Sequence, residues 1–245
     1  MNVVALVGAG PGDPGLITAR GLDLLRRAQV LVHDRLVAPE LVQEAPTGCL
    51  LISRDPLSQE QVNDLLVKHG RRGRRVVRLK GGDPFLFGRG GEEALALRRA
   101  GVPFEVVPGV SALASVPAAA GIPVTHRGLS RQVTIVTGHG AGSDDGLDYA
   151  ALARTPGTLV VFMGLDGLDE LSAGLIAHGA DPELPAAVVS RGTTEEQEVA
   201  VATLATIAGA SAGLPTPALL VVGEVVGLAE ALGPAAVAER LLAAL

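Results

Sequence analysis

The sequence predicts an α/β protein made of two successive α/β domains with mostly parallel sheets. Three observations predict it. Short runs rich in Val, Leu and Ile alternate with longer stretches of helical periodicity. The runs are continuously apolar rather than alternating, as strands covered on both faces are. The series stops near residue 110, a polar stretch from Pro123 to Gln132 follows, and a second series begins. The domains are therefore read as residues 1–112 and 113–245.

In the first series, strands are expected at Val3–Val7, Val30–His33, Arg75–Leu79 and Phe104–Val107. Helical periodicity covers Leu16–Ala28, Gln59–His69, Gly91–Ala100 and Ser111–Ala119. Gly70, Gly101 and Gly121 stand where three of these helices should end. In the second series, strands are expected at Val133–Val136, Leu159–Met163, Ala186–Ser190 and Ala218–Val222. Helices are expected near Tyr149–Ala153, at Leu168–Ala177 and at Ala235–Leu245. Gln197–Thr203 alternates apolar with polar residues and reads as an exposed antiparallel strand.

Composition narrows the class. Of 245 residues, 48% are hydrophobic and 19% charged, a globular balance. Aromatics are only 2%, so the core must be aliphatic. No run approaches the roughly 18 apolar residues of a membrane span, and no basic segment precedes the first apolar run as in a leader peptide. Cys49 is the single cysteine, which excludes an internal disulfide and a cysteine zinc site and suits a cytoplasmic protein. A net charge of −6 argues against nucleic-acid binding, although local arginines can still meet a small anion.

Two glycine- and proline-rich loops follow apolar runs: GAGPGDPG at residues 8–15 and KGGDPFLFGRGGEE at residues 80–93. Such loops at strand ends let a backbone approach a ligand closely. The first resembles the dinucleotide fingerprint G-x-G-x-x-G, with Asp34 at the end of the second strand as ribose acid, but its third glycine position is Asp13. Pro11 and Pro14 also lack N–H groups for a pyrophosphate. That disfavours a nicotinamide-dependent dehydrogenase. No G-K-[ST] follows the second loop, so it is not a P-loop. Asp83 offers a carboxylate to a ligand amine or hydroxyl, and Arg89 stands between glycines, where an arginine meets an anion. Glu92 and Glu93 suit the first turn of a helix. Ser111 suits a helix cap, and His126 reads as a surface residue. The basic stretch Arg71–Arg78 reads as a solvated turn. Gly209-Ala-Ser-Ala-Gly213 matches a nucleophile elbow, but no Asp or His follows Ser211 to complete a triad.

Together, VALVGAGPGDPGLITARG, VLVHDRLV, VVRLKGGDPFLFGRGGEE, VPGVSALASVPAAAGIPVTHR, VVFMG and PALLVVGEVV resemble the tetrapyrrole methylases over nearly the whole chain. HDRLV with GGDPFLFGRGGEE is most similar to the members that act on uroporphyrinogen III; a sister activity on a later corrin intermediate is the alternative. The resemblance implies an active site in the cleft between two domains, a homodimer, no metal, and S-adenosyl-L-methionine as methyl donor to C2 and C7 of uroporphyrinogen III. It implies cofactor contacts at Pro11, Gly81, Gly82, Asp83, Leu86, Ser111, Ala112, Met163 and Gly192, with Pro217 and Ala218 adding backbone contacts. Asp34 matches the family's proton acceptor. Arg89 is the second catalytic candidate, with Glu92 orienting it, and Arg35, Arg89 and Arg127 would meet substrate carboxylates. The family's donor lysine has no counterpart: LISRDPLSQEQVN contains none, and Arg54 is the nearest basic residue.

Overall fold

The computed structural model describes residues 3–138 and 146–233. The helix expected at Ala235–Leu245 lies outside them. The chain divides into two compact units, Met1–Ser111 and Ala112–Leu245.

The first unit contains strands β1 (Val4–Gly8), β2 (Val30–His33), β3 (Leu50–Ser53), β4 (Val76–Lys80) and β5 (Phe104–Val107), with helices α1 (Ala19–Leu25), α2 (Pro39–Gln43), α3 (Gln59–Arg71) and α4 (Gly90–Arg99). The strand order is β3-β2-β4-β1-β5, and every neighbouring pair is parallel. Alternate side chains serve opposite faces. Ala5, Val7, Leu31, Val77, Leu79 and Val107 pack with Leu25 of α1 and Leu41 of α2. Val4, Leu6, Val30, Val32 and Val76 pack with Val62 and Leu66 of α3 and Ala94 and Leu97 of α4. Each such fully buried Val or Leu side chain contributes about 1.5–3 kcal/mol.

Local chemistry sets the helix ends. Thr18 caps α1 through Gly21 N–H at 3.1 Å. Ser58 and Gln61 form a reciprocal capping box on α3. Gly101, at φ +67, follows the C-cap of α4 as expected. Gly70 does not close α3; it lies inside the helix, where a Cβ would meet Val102 Cγ1 at 2.4 Å and Val4 Cγ2 at 2.9 Å. It is a packing glycine, and Gly73, at φ +67, sits in the turn that follows. The expected solvated stretch Arg71–Arg78 is also corrected at its end, because Arg78 is buried within β4. β3 was not foreseen: it is a four-residue edge strand with Leu50 and Leu51 about half exposed, so it shows neither a long apolar run nor alternation.

The second unit begins with α5 (Ala112–Ala119) and continues with β6 (Val133–Thr137), α6 (Tyr149–Arg154), β7 (Thr158–Phe162), α7 (Leu168–Ala177), β8 (Pro185–Ser190), β9 (Glu198–Thr203), α8 (Ile207–Ala210), β10 (Ala218–Val222) and α9 (Ala229–Leu232). Its order is β6-β7-β10-β8-β9. The mostly parallel sheet expected from the sequence is that of the first unit. Here, among the described residues, only β6–β7 is parallel; β10 runs antiparallel between β7 and β8, and β9 antiparallel beside β8. The reason is physical. A strand buried on both faces, as Leu219–Val222 of β10 is, reads as continuously apolar whichever way it runs. The alternation in β9 did announce its antiparallel edge position.

Candidate active site

In the first unit, the loops after β1, β4 and β5 meet backbone to backbone. Gly82 N–H donates to Gly10 O at 2.7 Å, and Ala9 N–H donates to Lys80 O at 2.7 Å. A Cβ on Gly8 would lie 2.5 Å from Gly82 O, and one on Gly109 would lie 2.1 Å from the same oxygen. No side chain fits at either position, which explains glycine in both loops. Asp83 locks the junction: Oδ2 accepts from Gly109 N–H at 3.0 Å and Oδ1 from Phe85 N–H at 2.9 Å. Its carboxylate therefore shapes the loop itself, whatever it also offers a ligand.

This junction gathers several expected residues. Pro11 follows Gly10, and Gly81, Gly82, Asp83 and Leu86 lie along the β4 loop. A Cβ on Gly81 would touch only Leu36 Cβ, at 3.7 Å, so the Asp34-Arg35-Leu36 loop borders the same place. A Cβ on Gly82 would meet nothing within 4 Å, which leaves an open, side-chain-free face of backbone. Leu36, Phe85 and Phe87 are exposed apolar side chains beside it. Such a cradle, with open backbone and an apolar rim, suits an adenosyl or amino-acid ligand.

Arg89 takes a left-handed conformation (φ +56) at the start of α4. Its Nε and Nη2 donate to Glu92 Oε1 and Oε2, both at 2.8 Å, a bidentate fork. Glu92 raises the Arg89 guanidinium, and Arg89 lowers the Glu92 carboxyl. Both side chains are about half exposed, at 53% and 51%, so the pair orients Arg89 more than it stabilises the fold.

Sequence reasoning missed the groups beneath this loop. Arg78, Lys80 and Glu93 are all buried. Arg78 donates through Nε to Glu93 Oε1 at 2.9 Å and through Nη2 to Asp34 Oδ1 at 2.5 Å, and Lys80 Nζ donates to Glu93 Oε1 at 3.1 Å. Burial and Arg78 push the Lys80 ammonium down, opposed by Glu93 and Asp34. Glu93 thus anchors cations rather than serving the helix dipole. The signal was present in V-V-R-L-K: charges at alternate positions of a strand share one face.

In the second unit, Met163 follows β7, Gly192 follows β8, and Pro217-Ala218 opens β10. Leu219 pairs with Phe162 and Ala218 with Ser190, so these candidates share one end of three adjacent strands. Gly192 leaves no room for a Cβ, which would meet Val116 Cγ1 of α5 at 2.5 Å, and α5 starts at Ala112, just after Ser111. Arg127 is not gathered with them. It lies in the turn closed by the His126–Ser130 bridge, and Ser130 bonds to Thr158 at the amino end of β7. Thr125, His126, Arg127, Ser130 and Arg131 line a hollow of about 550 Å³ there. A larger hollow, about 920 Å³, lies in the first unit at the amino ends of β2, β3 and β4, away from the glycine junction. Among the described residues, no group of three or more His, Cys, Asp or Glu is placed to hold a metal, and no helix is long and apolar enough to cross a membrane.

Residues 3–208 match the family described as Tetrapyrrole (Corrin/Porphyrin) Methylases. The chain is 50% identical over 231 residues to siroheme synthase 1 of Yersinia enterocolitica, covering 92% of this chain and 49% of that one. It thus spans about half the length of the curated relatives it matches. The crystal structure of uroporphyrin-III-C-methyltransferase from Thermus thermophilus is 44% identical, covers 96% of this chain and 97% of that one, and gives a TM-score of 0.83. A structure of the Thermus thermophilus enzyme complexed with S-adenyl homocysteine is 42% identical over 92% of this chain and 99% of that one, with a TM-score of 0.81.

Proposed function

The chain belongs to the tetrapyrrole (corrin/porphyrin) methylase family, and from that membership we propose that it transfers methyl groups from S-adenosyl-L-methionine to C2 and C7 of uroporphyrinogen III, giving precorrin-2. The observation that carries this reading is the 44% identity to a uroporphyrin-III-C-methyltransferase along almost the full length of both chains. The glycine junction fits the donor: Gly82 offers open backbone that a Cβ would fill, and Leu36, Phe85 and Phe87 give an apolar rim.

S-adenosyl-L-methionine, when bound, supplies an electrophilic methyl group. The substrate's own pyrrole nitrogen supplies the electrons, so the protein needs no covalent nucleophile. Cys49 fits that: burial pushes its thiol up, away from the reactive thiolate. The protein's own work is placement, water exclusion and proton removal. Gly81, Gly82 and Leu86 hold the donor, with Asp83 fixing their loop. Asp34 accepts the proton that leaves the macrocycle. Arg35 and Arg89 meet substrate carboxylates as planar forks, Arg89 held ready by Glu92. Met163, Gly192, Pro217 and Ala218, which share one strand end of the second unit's own sheet, are the further candidates for donor contacts. We place the protein in the cytoplasm as a homodimer.

The test is turnover. Purified protein given uroporphyrinogen III and methyl-labelled donor without oxygen should yield a product carrying two labelled methyl groups. Absence of label on that substrate, with label appearing on a later corrin intermediate, would move the chain to a sister activity.

A further inference from the structure

β4 carries Val76, Arg78 and Lys80 on one face, the face that α3 and α4 cover with Val62, Leu66, Ala94 and Leu97. Two cations therefore point into an aliphatic layer. They are matched there by Glu93 of α4 and by Asp34 after β2. The side chains of Arg78, Lys80 and Glu93 are 2%, 1% and 0% exposed. Asp34 alone reaches solvent, at 25%. Two positive and two negative groups thus form a balanced set with one outlet.

Arg78 is fully committed. Nε serves Glu93, Nη2 serves Asp34, and Nη1 reaches Leu79 O at 3.2 Å and Val32 O at 3.5 Å. Glu93 Oε1 accepts from Arg78, from Lys80 and, at 3.4 Å, from Gln59 Nε2. Asp34 is tied twice to β4: its N–H donates to Leu79 O at 3.1 Å, and its Oδ1 accepts from Arg78. Among the described residues, only Oδ2 is left without a hydrogen-bond partner. Stability does not account for this arrangement, because buried ion pairs cost several kcal/mol per ion in desolvation and are often no better than apolar packing. Glu93 Oε2 is even buried without a hydrogen-bond partner among the described residues.

We propose that Arg78 is the positioning residue for Asp34, and Glu93 the positioning residue for Arg78, so that a buried chain of charge from α4 to the β2 loop presents a single oxygen, Asp34 Oδ2, to the departing proton. Lys80 compensates the charge of Glu93. The inference rests on the reading of Asp34 as proton acceptor. In the step concerned, the donor's sulfur–methyl bond breaks, a carbon–carbon bond forms on the macrocycle, and the macrocycle releases one proton, which Oδ2 takes.

The experiment combines Arg78→Gln, Arg78→Lys, Asp34→Asn, the double variant Arg78→Gln/Asp34→Asn, and an apolar triple variant, Arg78→Met/Lys80→Met/Glu93→Leu. Binding of S-adenosylhomocysteine is read by calorimetry, stability by melting, and turnover as separate kcat and KM. Arg78→Gln should lower kcat about 100-fold, the scale of a lost general base. KM and the S-adenosylhomocysteine dissociation constant should stay within about threefold of wild type. Arg78→Lys should recover part of kcat. The double variant should be no slower than Asp34→Asn alone, because Arg78 acts through Asp34. The triple variant covers misfolding of the single ones: it should melt no lower than wild type and still lose kcat. Multiplying losses in the double variant, or wild-type kcat in the triple, would overturn the proposal. If wild type itself left uroporphyrinogen III unmethylated, the functional reading would fall on its own. The positioning would then be read from a crystal structure of Arg78→Gln: a displaced Asp34 carboxylate supports it, and an unmoved one overturns it.

Discussion

Gly109→Ala tests the glycine junction most directly. Gly109 has no positive φ, so alanine is free to adopt its backbone conformation, and the penalty is purely one of space. The new Cβ would lie 2.1 Å from Gly82 O and 2.7 Å from Gly8 Cα, both backbone atoms that no rotamer change can move. Restoring a contact of 3.0 Å requires the two loops to separate by the difference, 3.0 minus 2.1, or about 0.9 Å. That stretches the 3.0 Å bond from Gly109 N–H to Asp83 Oδ2 to as much as about 3.9 Å, beyond hydrogen-bonding range. Overpacking costs about 1–3 kcal/mol, and a lost bond to a charged carboxylate costs about 1.5–3 kcal/mol. With partial relaxation, a loss of about 3 kcal/mol is expected in urea denaturation. A third of that, expressed in the ligand cradle, weakens S-adenosylhomocysteine binding roughly five- to tenfold by calorimetry. Gly91→Ala is the control: in the first turn of α4, with nothing within 4 Å of its added methyl, it should stabilise by about 0.5–1 kcal/mol. A Gly109→Ala protein that unfolds with wild type and binds equally well would refute the reasoning.

Glu92→Gln should release Arg89 and lower turnover while changing stability by less than about 1 kcal/mol, since the pair is half exposed; a large drop in urea midpoint at full activity would contradict this. Ser58→Ala removes the capping box of α3 and should cost about 1 kcal/mol by the same measurement. His69 is buried with Nδ1 unpaired among the described residues, and burial, then Arg74, Arg72 and Lys68, lower it from 6.5. The unfolded chain therefore binds this proton more readily than the native one, so stability is full above pH 6.5 and falls as pH drops from 6.5 toward the lowered native value. His69→Gln should flatten that part of a stability profile taken between pH 7.5 and pH 5.5, and an unchanged slope would assign it to other groups.

Strands buried on both faces were the easiest features to read. Val30–His33 and Ala218–Val222 appear at the expected bounds because continuous burial leaves a continuous apolar run; Phe104–Val107 does so too, although it is an edge strand in which only Val107 is buried. The same property hid their direction, so β10 gave no hint that it runs antiparallel. β3 and α2 were missed because a four-residue exposed edge and a five-residue helix hold too few residues to establish a period. At the site, the loops around Gly10 and Gly82 were legible from glycine and proline alone. The buried charges were not. Arg78 was absorbed into a basic run whose other members are surface residues, and Glu93 into a helix-start pair whose other member, Glu92, does face solvent. A charge in the sequence carries no mark of its depth; only the alternation around it does.

Phe87, Arg89, Met163, Arg191 and Thr193 all hold positive φ, and each lies in a segment that follows β4, β7 or β8. An L side chain in that conformation costs on the order of 1–3 kcal/mol. Glycine would remove the cost, and it already occupies positions 88, 90 and 91 around Arg89. Selection for thermal endurance alone would therefore convert 87 and 89 as well. Keeping a bulky ring and a guanidinium there trades robustness for reach, and stabilised descendants that drift to glycine at these two positions should gain heat tolerance as they lose catalysis.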